Sequence, residues 1–392
     1  MKHLRVTIKA LGPLSFPRRK PGTQFRESLE YIPGSVLFGV LGQVASENDQ
    51  FSATEFRALR CHNAYTAREG DIWVHPLPAT AQGPKGDDEP HDTLIERLCW
   101  EQLQPPAIIY SPTDAAGRPW EARGGFYAIQ DKKPVRRDPP EQRVITRAGI
   151  NRKRGTSQDN ILFSPLVLNE VTYSPDKKPQ PSLFIGSIVA PDGFAADELL
   201  SSIEWIGAHQ STGHGHVEIT CKTISEWHDP PPKPFDTKPE DVLTRIETFT
   251  KACRAQASIY KQLGGEAWNI TGHIFTINLL SDTILLEHGW QPTMVLTAAM
   301  LEEVTGIRAR LLRSFASYDY AGGWHALWQR PKESHVITRK GSLYVFETDE
   351  ELQDNDLEKL YQLQLQGIGE RVQEGYGQVR ICDEFHIIER QG

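Results

Sequence analysis

Two stretches of this sequence carry side chains suited to holding a phosphate chain. Arg143, Arg147, Arg152, Lys153 and Arg154 lie close together, with Lys132, Lys133, Arg136 and Arg137 upstream. Residues 132–154 thus hold nine basic and two acidic side chains, a net +7. Neutralising backbone phosphates releases condensed counterions, so such a run supplies affinity that falls with salt. Gly149 and Gly155 suit it to a hairpin tip, and a solvated face is the plain structural alternative. The second stretch, Arg18, Arg19, Lys20 and Arg26, follows the first expected strand, and Phe16 and Phe25 flank it to stack on bases or to anchor the loop. Next, Tyr31-Ile32-Pro33-Gly34-Ser35 opens a helix whose first turn offers free N–H groups to an anion, with Ser35 the expected N-cap.

An internal repeat is the third feature. Trp205–Ile219 aligns without gaps on Gly367–Ile381, with six of 15 positions identical: Ile206/Ile368, Gly207/Gly369, Gly213/Gly375, Gly215/Gly377, Val217/Val379 and Ile219/Ile381. Each copy follows a helical stretch, 195–206 or 355–366, and leads into an alternating strand. Such glycines permit positive φ, and the loop can turn N–H groups toward a phosphate or form a tight turn with no ligand. His209, His214 and His216 lie within the first copy, around its glycines. They would suit acid–base cleavage of RNA, which needs a 2′-hydroxyl deprotonated and a leaving oxygen protonated, but the spacing dictates no partner Lys or Tyr. Cys61, His62, His75, His91 and Cys99 come nearest to a metal cluster and match no common zinc spacing. The phosphate-loop, nucleophile-elbow and His-Glu-x-x-His motifs do not occur. No catalytic residue, metal or cofactor is expected.

The elements that must position these residues alternate twice in the same order. Leu4, Val6 and Ile8 mark a first strand; Ile274, Thr276, Asn278 and Leu280 mark its counterpart less regularly. Helices are expected over Gly34–Ser46 and Pro292–Val304, and further strands over Leu162–Tyr173, Leu183–Ala190, Ile307–Tyr318 and Leu343–Glu347. Strand, helix, two strands, helix, strand predicts an α+β fold of two tandem ferredoxin-like (RNA-recognition-like, βαββαβ) domains, with a basic hairpin inserted in the first. Residues 76–90 and 131–142 read as exposed loops. The Pro-rich run Asp229–Phe235 reads as a stiff linker, giving an N-terminal domain over 1–228, a linker over 229–238 and a C-terminal domain over 239–392. A helix follows it: Pro239, Glu240 and Asp241 mark the start, and Val242, Ile246, Phe249, Cys253, Ala257 and Tyr260 share one face before Gly264-Gly265.

Composition narrows the class. With 392 residues, 39% hydrophobic and 24% charged, the chain is globular, and 43 basic against 51 acidic residues exclude a uniformly basic nucleic-acid coat protein. Its longest apolar runs, such as Val36–Leu41 and Leu183–Ala190, fall short of the ~20 residues of a membrane helix. Residues 1–6 show no apolar signal core, and five scattered cysteines suit a reducing compartment, so a cytoplasmic location is expected.

Four features together resemble the RAMP superfamily of CRISPR-associated proteins. These are Tyr31-Ile-Pro-Gly-Ser-Val-Leu-Phe-Gly39, the basic Arg147–Thr156 ahead of Asn160–Phe163, the strand Leu183–Ala190, and the paired glycine loops. Two such units in one chain look most like the two-domain five-group subunit of type III-D effector complexes. The resemblance implies a non-catalytic scaffold that holds the 5′ repeat-derived tag of CRISPR RNA. It also implies contact with a large polymerase-like subunit and a backbone RAMP subunit. The RNA-binding residues it implies are Arg18, Arg19, Lys20, Arg26, Gly34, Ser35, Arg143, Arg147, Arg152, Lys153, Arg154, His209, Gly213, His214, Gly215 and Arg371. Family loops often carry Arg or Lys between the glycines; here the first has His209 and His214, and the second keeps Arg371. Residues 236–392 hold 16 basic and 23 acidic side chains, a net −7, which suits protein contacts. The alternative within the family is a metal-independent CRISPR RNA-processing endoribonuclease with His209 or His214 as base.

Overall fold

Leu4, Val6 and Ile8 all point inward from β1 (Lys2–Ala10), as strict alternation requires of a strand with one buried face. The computed structural model describes residues 1–18, 27–48, 52–86, 89–114, 116–151, 153–173, 177–224, 236, 238–325 and 330–388. Two compact units emerge. One comprises Met1–Glu69, Pro139–Lys222 and Tyr320–His335; the other comprises Gly70–Asp138, Thr223–Asp319 and Val336–Gly392. The expected linker lies largely outside the described residues. Among the described residues no helix is long and apolar enough to cross a membrane.

In the first unit, β1 is followed by α1 (Gly34–Glu47), β2 (Arg60–Cys61), β3 (Tyr65–Ala67), β4 (Leu183–Ala190), α2 (Ala196–Ser201) and β5 (Val217–Thr223). Its sheet runs β5-β1-β4-β2, and β3 also pairs with β4. β1 pairs antiparallel with β4, Leu4 opposite Ile188 and Ile8 opposite Phe184. Leu37, Leu41 and Ala45, four apart along α1, close the core with Leu199 and Leu200 of α2.

The second strand of this sheet differs from expectation. Leu162–Tyr173 is broken, and its pieces pair locally. Thr156–Phe163 pairs with Arg147–Asn151, Leu166–Leu168 with Gln142–Val144, and Val171–Tyr173 with Pro179–Pro181. Pro165 brings no N–H to a ladder and interrupts the run. The place beside β4 goes to β2 and β3, whose Arg60–Ala67 sequence lacks the alternation that would mark a strand.

The second unit holds α3 (Pro239–Gln262), β6 (Ile274–Leu279), α4 (Ala298–Thr305), β7 (Arg310–Phe315), β8 (Leu343–Glu347), α5 (Asp354–Gln366) and β9 (Val379–Ile381). Its antiparallel sheet runs β7-β8-β6-β9. Counting each sheet's own strands, with β2 and β3 as one, both sheets have the order fourth, first, third, second. The α3 stripe from Val242 to Tyr260 is buried as expected, and much of what covers it was not anticipated. Leu94, Ile95, Leu98, Cys99 and Leu103, from a helix over Leu94–Leu103, join the same core. Each such buried leucine or isoleucine contributes about 1.5–3 kcal/mol.

Both expected loops contain strands. Ala81–Pro84 pairs with His91–Asp92 and with Trp120–Ala122. Phe126–Gln130 pairs with Lys133–Arg137 across a two-residue turn, with Asp131 at φ 48° and Lys132 at φ 62°. Arg137, 1% exposed, binds Asp71 in bidentate fashion, Nε to Oδ2 and Nη2 to Oδ1 at 2.6 Å each.

Candidate nucleic-acid interface

The glycine loops before β5 and β9 have one backbone. Gly207, His209, Gly213 and Gly215 take φ of 80°, 64°, 85° and 92°; Gly369, Arg371, Gly375 and Gly377 take 82°, 55°, 89° and 72°. Ile206 N–H donates to the Gly215 carbonyl at 2.9 Å, and Ile368 to Gly377 at 2.8 Å. Gly215 donates to Pro13 at 2.8 Å and Gly377 to Asp282 at 3.1 Å, each acceptor lying three residues past the first strand of its sheet. A Cβ on Gly215 would stand 2.1 Å from the Ile206 carbonyl oxygen, and one on Gly377 1.9 Å from that of Ile368. Close approach of two backbones therefore requires glycine here.

This closure limits what the backbone can offer a ligand. In the first loop the N–H groups of Ile206, Ala208, Thr212, Gly213, His214 and Gly215 all donate to carbonyls of the chain. These six N–H groups are therefore committed within the chain and not offered to a ligand. His214 is buried, and its ring meets that of His209 edge-on at 5.8 Å. Trp205, 39% exposed, stacks on His216 with ring centroids 4.7 Å apart and planes 22° apart. In the second loop Arg371 binds Glu374 twice, at 3.0 and 2.5 Å, and lies over the Tyr376 ring at 5.3 Å. Burial works against its charge, but the Glu374 carboxylate prevails and holds the guanidinium pKa above its ordinary value. Arg371 thus has an acidic partner within its own loop.

The other expected positions are spread along the first unit. Gly34 opens α1, but Ser35 is not its cap. Pro33 occupies the N-cap, and the Gly34 N–H donates to Asn63 Oδ1 at 2.8 Å. Pro33 fixes the entry to the helix and puts Ser35 inside the first turn, so a side chain from the β2–β3 loop caps it instead. The basic hairpin forms as expected: Arg147–Asn151 pairs with Thr156–Phe163, with a register shift between Ala148 and Ile150 and Gly155 at φ 65° in the turn. Lys153 and Arg154 are exposed at this turn. Arg143, on a separate strand, pairs with Glu170 at 3.0 Å. Upstream, Arg136 pairs with Asp138 and Arg137 is consumed by Asp71, which shortens the usable basic run. Arg18 lies on a two-residue strand, and Arg19, Lys20, Arg26 and Arg152 lie outside the described residues.

The expected cysteine–histidine group is divided: Cys61 and His62 belong to the first unit, His75, His91 and Cys99 to the second. His62 Nδ1 sits 2.8 Å from Ser187 Oγ, and burial pushes its pKa down to about 3. Burial likewise pushes the Cys61 thiol far up, away from the thiolate a metal needs. In the second unit His75, Asp383 and Glu384 approach one another closely enough to share an ion. Asp383 is already bound by His75 Nδ1 at 3.0 Å and by Tyr127 Oη, and Glu384 by Arg380. Burial opposes the charge of nearby Asp236, but Arg380 and Arg245 outweigh it and hold that carboxyl well below the usual range. These groups form a mutually satisfied ion-pair network that ties β9 to α3. Sequence reasoning passed over Asn63, Asp71 and the Trp205–His216 pair. Only the last left a signal, since the repeat aligns Trp205 and His216 with Gly367 and Gln378.

No family model matches the sequence, and no curated protein does. Among solved structures, the chain is similar to a chain of the type III-B Cmr-beta complex bound to cognate target RNA and AMPPnP. That match has a TM-score of 0.43 and 11% identity over 87% of this chain and 86% of that one. It is similar to a chain of a type IV-B CRISPR complex at 0.26 and 15%, over 59% and 95%. The crystal structure of Cmr4 follows at 0.21 and 14%, over 56% and 99%. At scores this low none of these likenesses carries an argument.

Proposed function

We propose that the chain is a non-catalytic RNA-binding subunit of a type III CRISPR effector complex, of the III-D kind, and that it works in the cytoplasm. Its two sheets are read as tandem ferredoxin-like RAMP modules. The observation that carries this reading is the duplication. Two sheets of the same strand order are each closed by a glycine loop with the same run of positive φ and the same hydrogen bonds. The basic hairpin, with Lys153 and Arg154 exposed at its turn, supplies phosphate contacts to a 5′ repeat-derived tag. The large subunit and a backbone subunit are its protein partners, and the acidic second half suits them.

Burial of His214 at 1% exposure disfavours it as the base of a nuclease. Purified full-length chain incubated with labelled repeat RNA in chelator tests the reading. Retention of RNA without cleavage is expected. Metal-independent cleavage would instead favour the processing nuclease, and no retention would leave a protein-contact subunit.

A further inference from the structure

The two glycine loops share their positive-φ positions and closing hydrogen bonds from Ile206/Ile368 onward, and they part at the preceding residue, where Gly367 takes φ 79° and Trp205 has no positive φ. The second loop, Gly367–Gln378, contains Glu370 and Glu374, and its arginine is closed off by Glu374 and Tyr376. The first, Trp205–His216, contains no acid; Thr212 stands where the second has Glu374, and His209 where it has Arg371. Trp205 and His216 stand where the second has Gly367 and Gln378. The second loop makes the same closing hydrogen bonds with no aromatic pair, its Gly367 sitting where a Cβ would stand 2.9 Å from the Gly377 carbonyl oxygen. Trp205 nonetheless keeps 39% of its surface in water while one ring face is occupied by His216. Burying that remaining surface would be favourable.

We infer that Trp205, backed by His216, is a stacking platform for one base of a single-stranded RNA, and that the first loop is the ligand-binding copy. The inference rests on the RNA-binding reading above and adds the position and mode of contact. An indole held flat by a second ring is preorganised for a nucleobase. Of the flanking carboxylates, Glu204 precedes Trp205, and Glu218 is paired with Lys9 at 3.4 Å. The second loop, self-neutralised and lacking the platform, is the structural copy.

The test uses the full-length chain, a labelled single-stranded RNA of random sequence, and an abasic ribose-phosphate chain of the same length. Trp205→Ala is expected to weaken RNA binding by about 10-fold, Trp205→Phe by much less, and the control Tyr376→Ala not at all. The salt slope should stay that of the wild type, since stacking neutralises no phosphate. The abasic chain should bind the wild type about 10-fold more weakly than RNA does, and Trp205→Ala should add no further loss on it. Should Trp205→Ala fail to fold, the Phe variant and the abasic comparison on wild type still decide. Wild-type RNA binding that Trp205→Ala leaves unchanged, or equal affinity for RNA and abasic chain, would overturn the platform and spare the RNA reading. Absence of RNA binding by the wild type would overturn both.

Discussion

Gly213 and Gly215 are two residues apart, share a loop and take nearly the same φ, yet alanine should cost very different amounts at the two positions. At Gly213, φ is 85° and an added Cβ meets nothing within 4 Å. The cost there is the left-handed backbone alone, about 1–2 kcal/mol. At Gly215, φ is 92° and the Cβ would stand 2.1 Å from the Ile206 carbonyl oxygen, where real contacts stay beyond 3.0 Å. Ile206 must retreat by about 1 Å, an overpacking cost of about 1–3 kcal/mol. That retreat stretches the 2.9 Å bond from Ile206 N–H to the Gly215 carbonyl, for about 1 kcal/mol more. The sum is about 3–6 kcal/mol, so the two variants should differ by at least ~2 kcal/mol. Urea unfolding followed by circular dichroism measures the gap, and hydrogen exchange at Ile206 locates it, with faster exchange expected only for Gly215→Ala. Equal destabilisation by both variants would refute the reasoning, because the clash that separates them would then have no energetic weight.

Acid should weaken the first unit through His62. The buried ring stays neutral down to about 3, while in the unfolded chain it takes up a proton near 6.5, so stability falls as pH drops below 6.5. Between about pH 7 and about pH 5 the loss is about 2 kcal/mol, and a His62→Gln variant should lack that part of the pH dependence in parallel urea titrations. In the second unit, Leu98→Ala empties a site that is 0% exposed in the core with α3 and should cost about 2–5 kcal/mol by the same measurement. A cost below 1 kcal/mol would mean that the helix over Leu94–Leu103 is not part of that core.

Much of the frame was legible because its elements carry strong local signals. β4 and β8 fall on Leu183–Ala190 and Leu343–Glu347 as read, and α3 carries its stripe from Val242 to Tyr260, about five turns. The repeat was legible because glycine has few substitutes where φ is positive and a carbonyl lies against Cα. What was lost was decided at a distance. Asp71 claims Arg137 across 66 residues, and Asn63 reaches Gly34 across 29. A run of basic residues reads as one patch only until each side chain's partner is known. β2 and β3 are short and take their identity from β4, so periodicity had nothing to register.

The sharing of one core by distant segments has a consequence for synthesis. Cys99 and Cys253, which meet through a thiol-to-carbonyl contact, are 154 residues apart in the chain. At roughly 5–20 residues per second the ribosome makes the helix over Leu94–Leu103 about 8–30 s before its partner α3 exists. Throughout that interval Leu94, Ile95, Leu98 and Leu103 have no native surface to cover them, and β1 to β5 must close around an unfinished excursion of the chain. The nascent protein should therefore bind a holding chaperone from the time residue 103 clears the exit tunnel. It should release that chaperone only after α3 emerges, and ribosome-bound chains truncated on either side of α3 would reveal the handover.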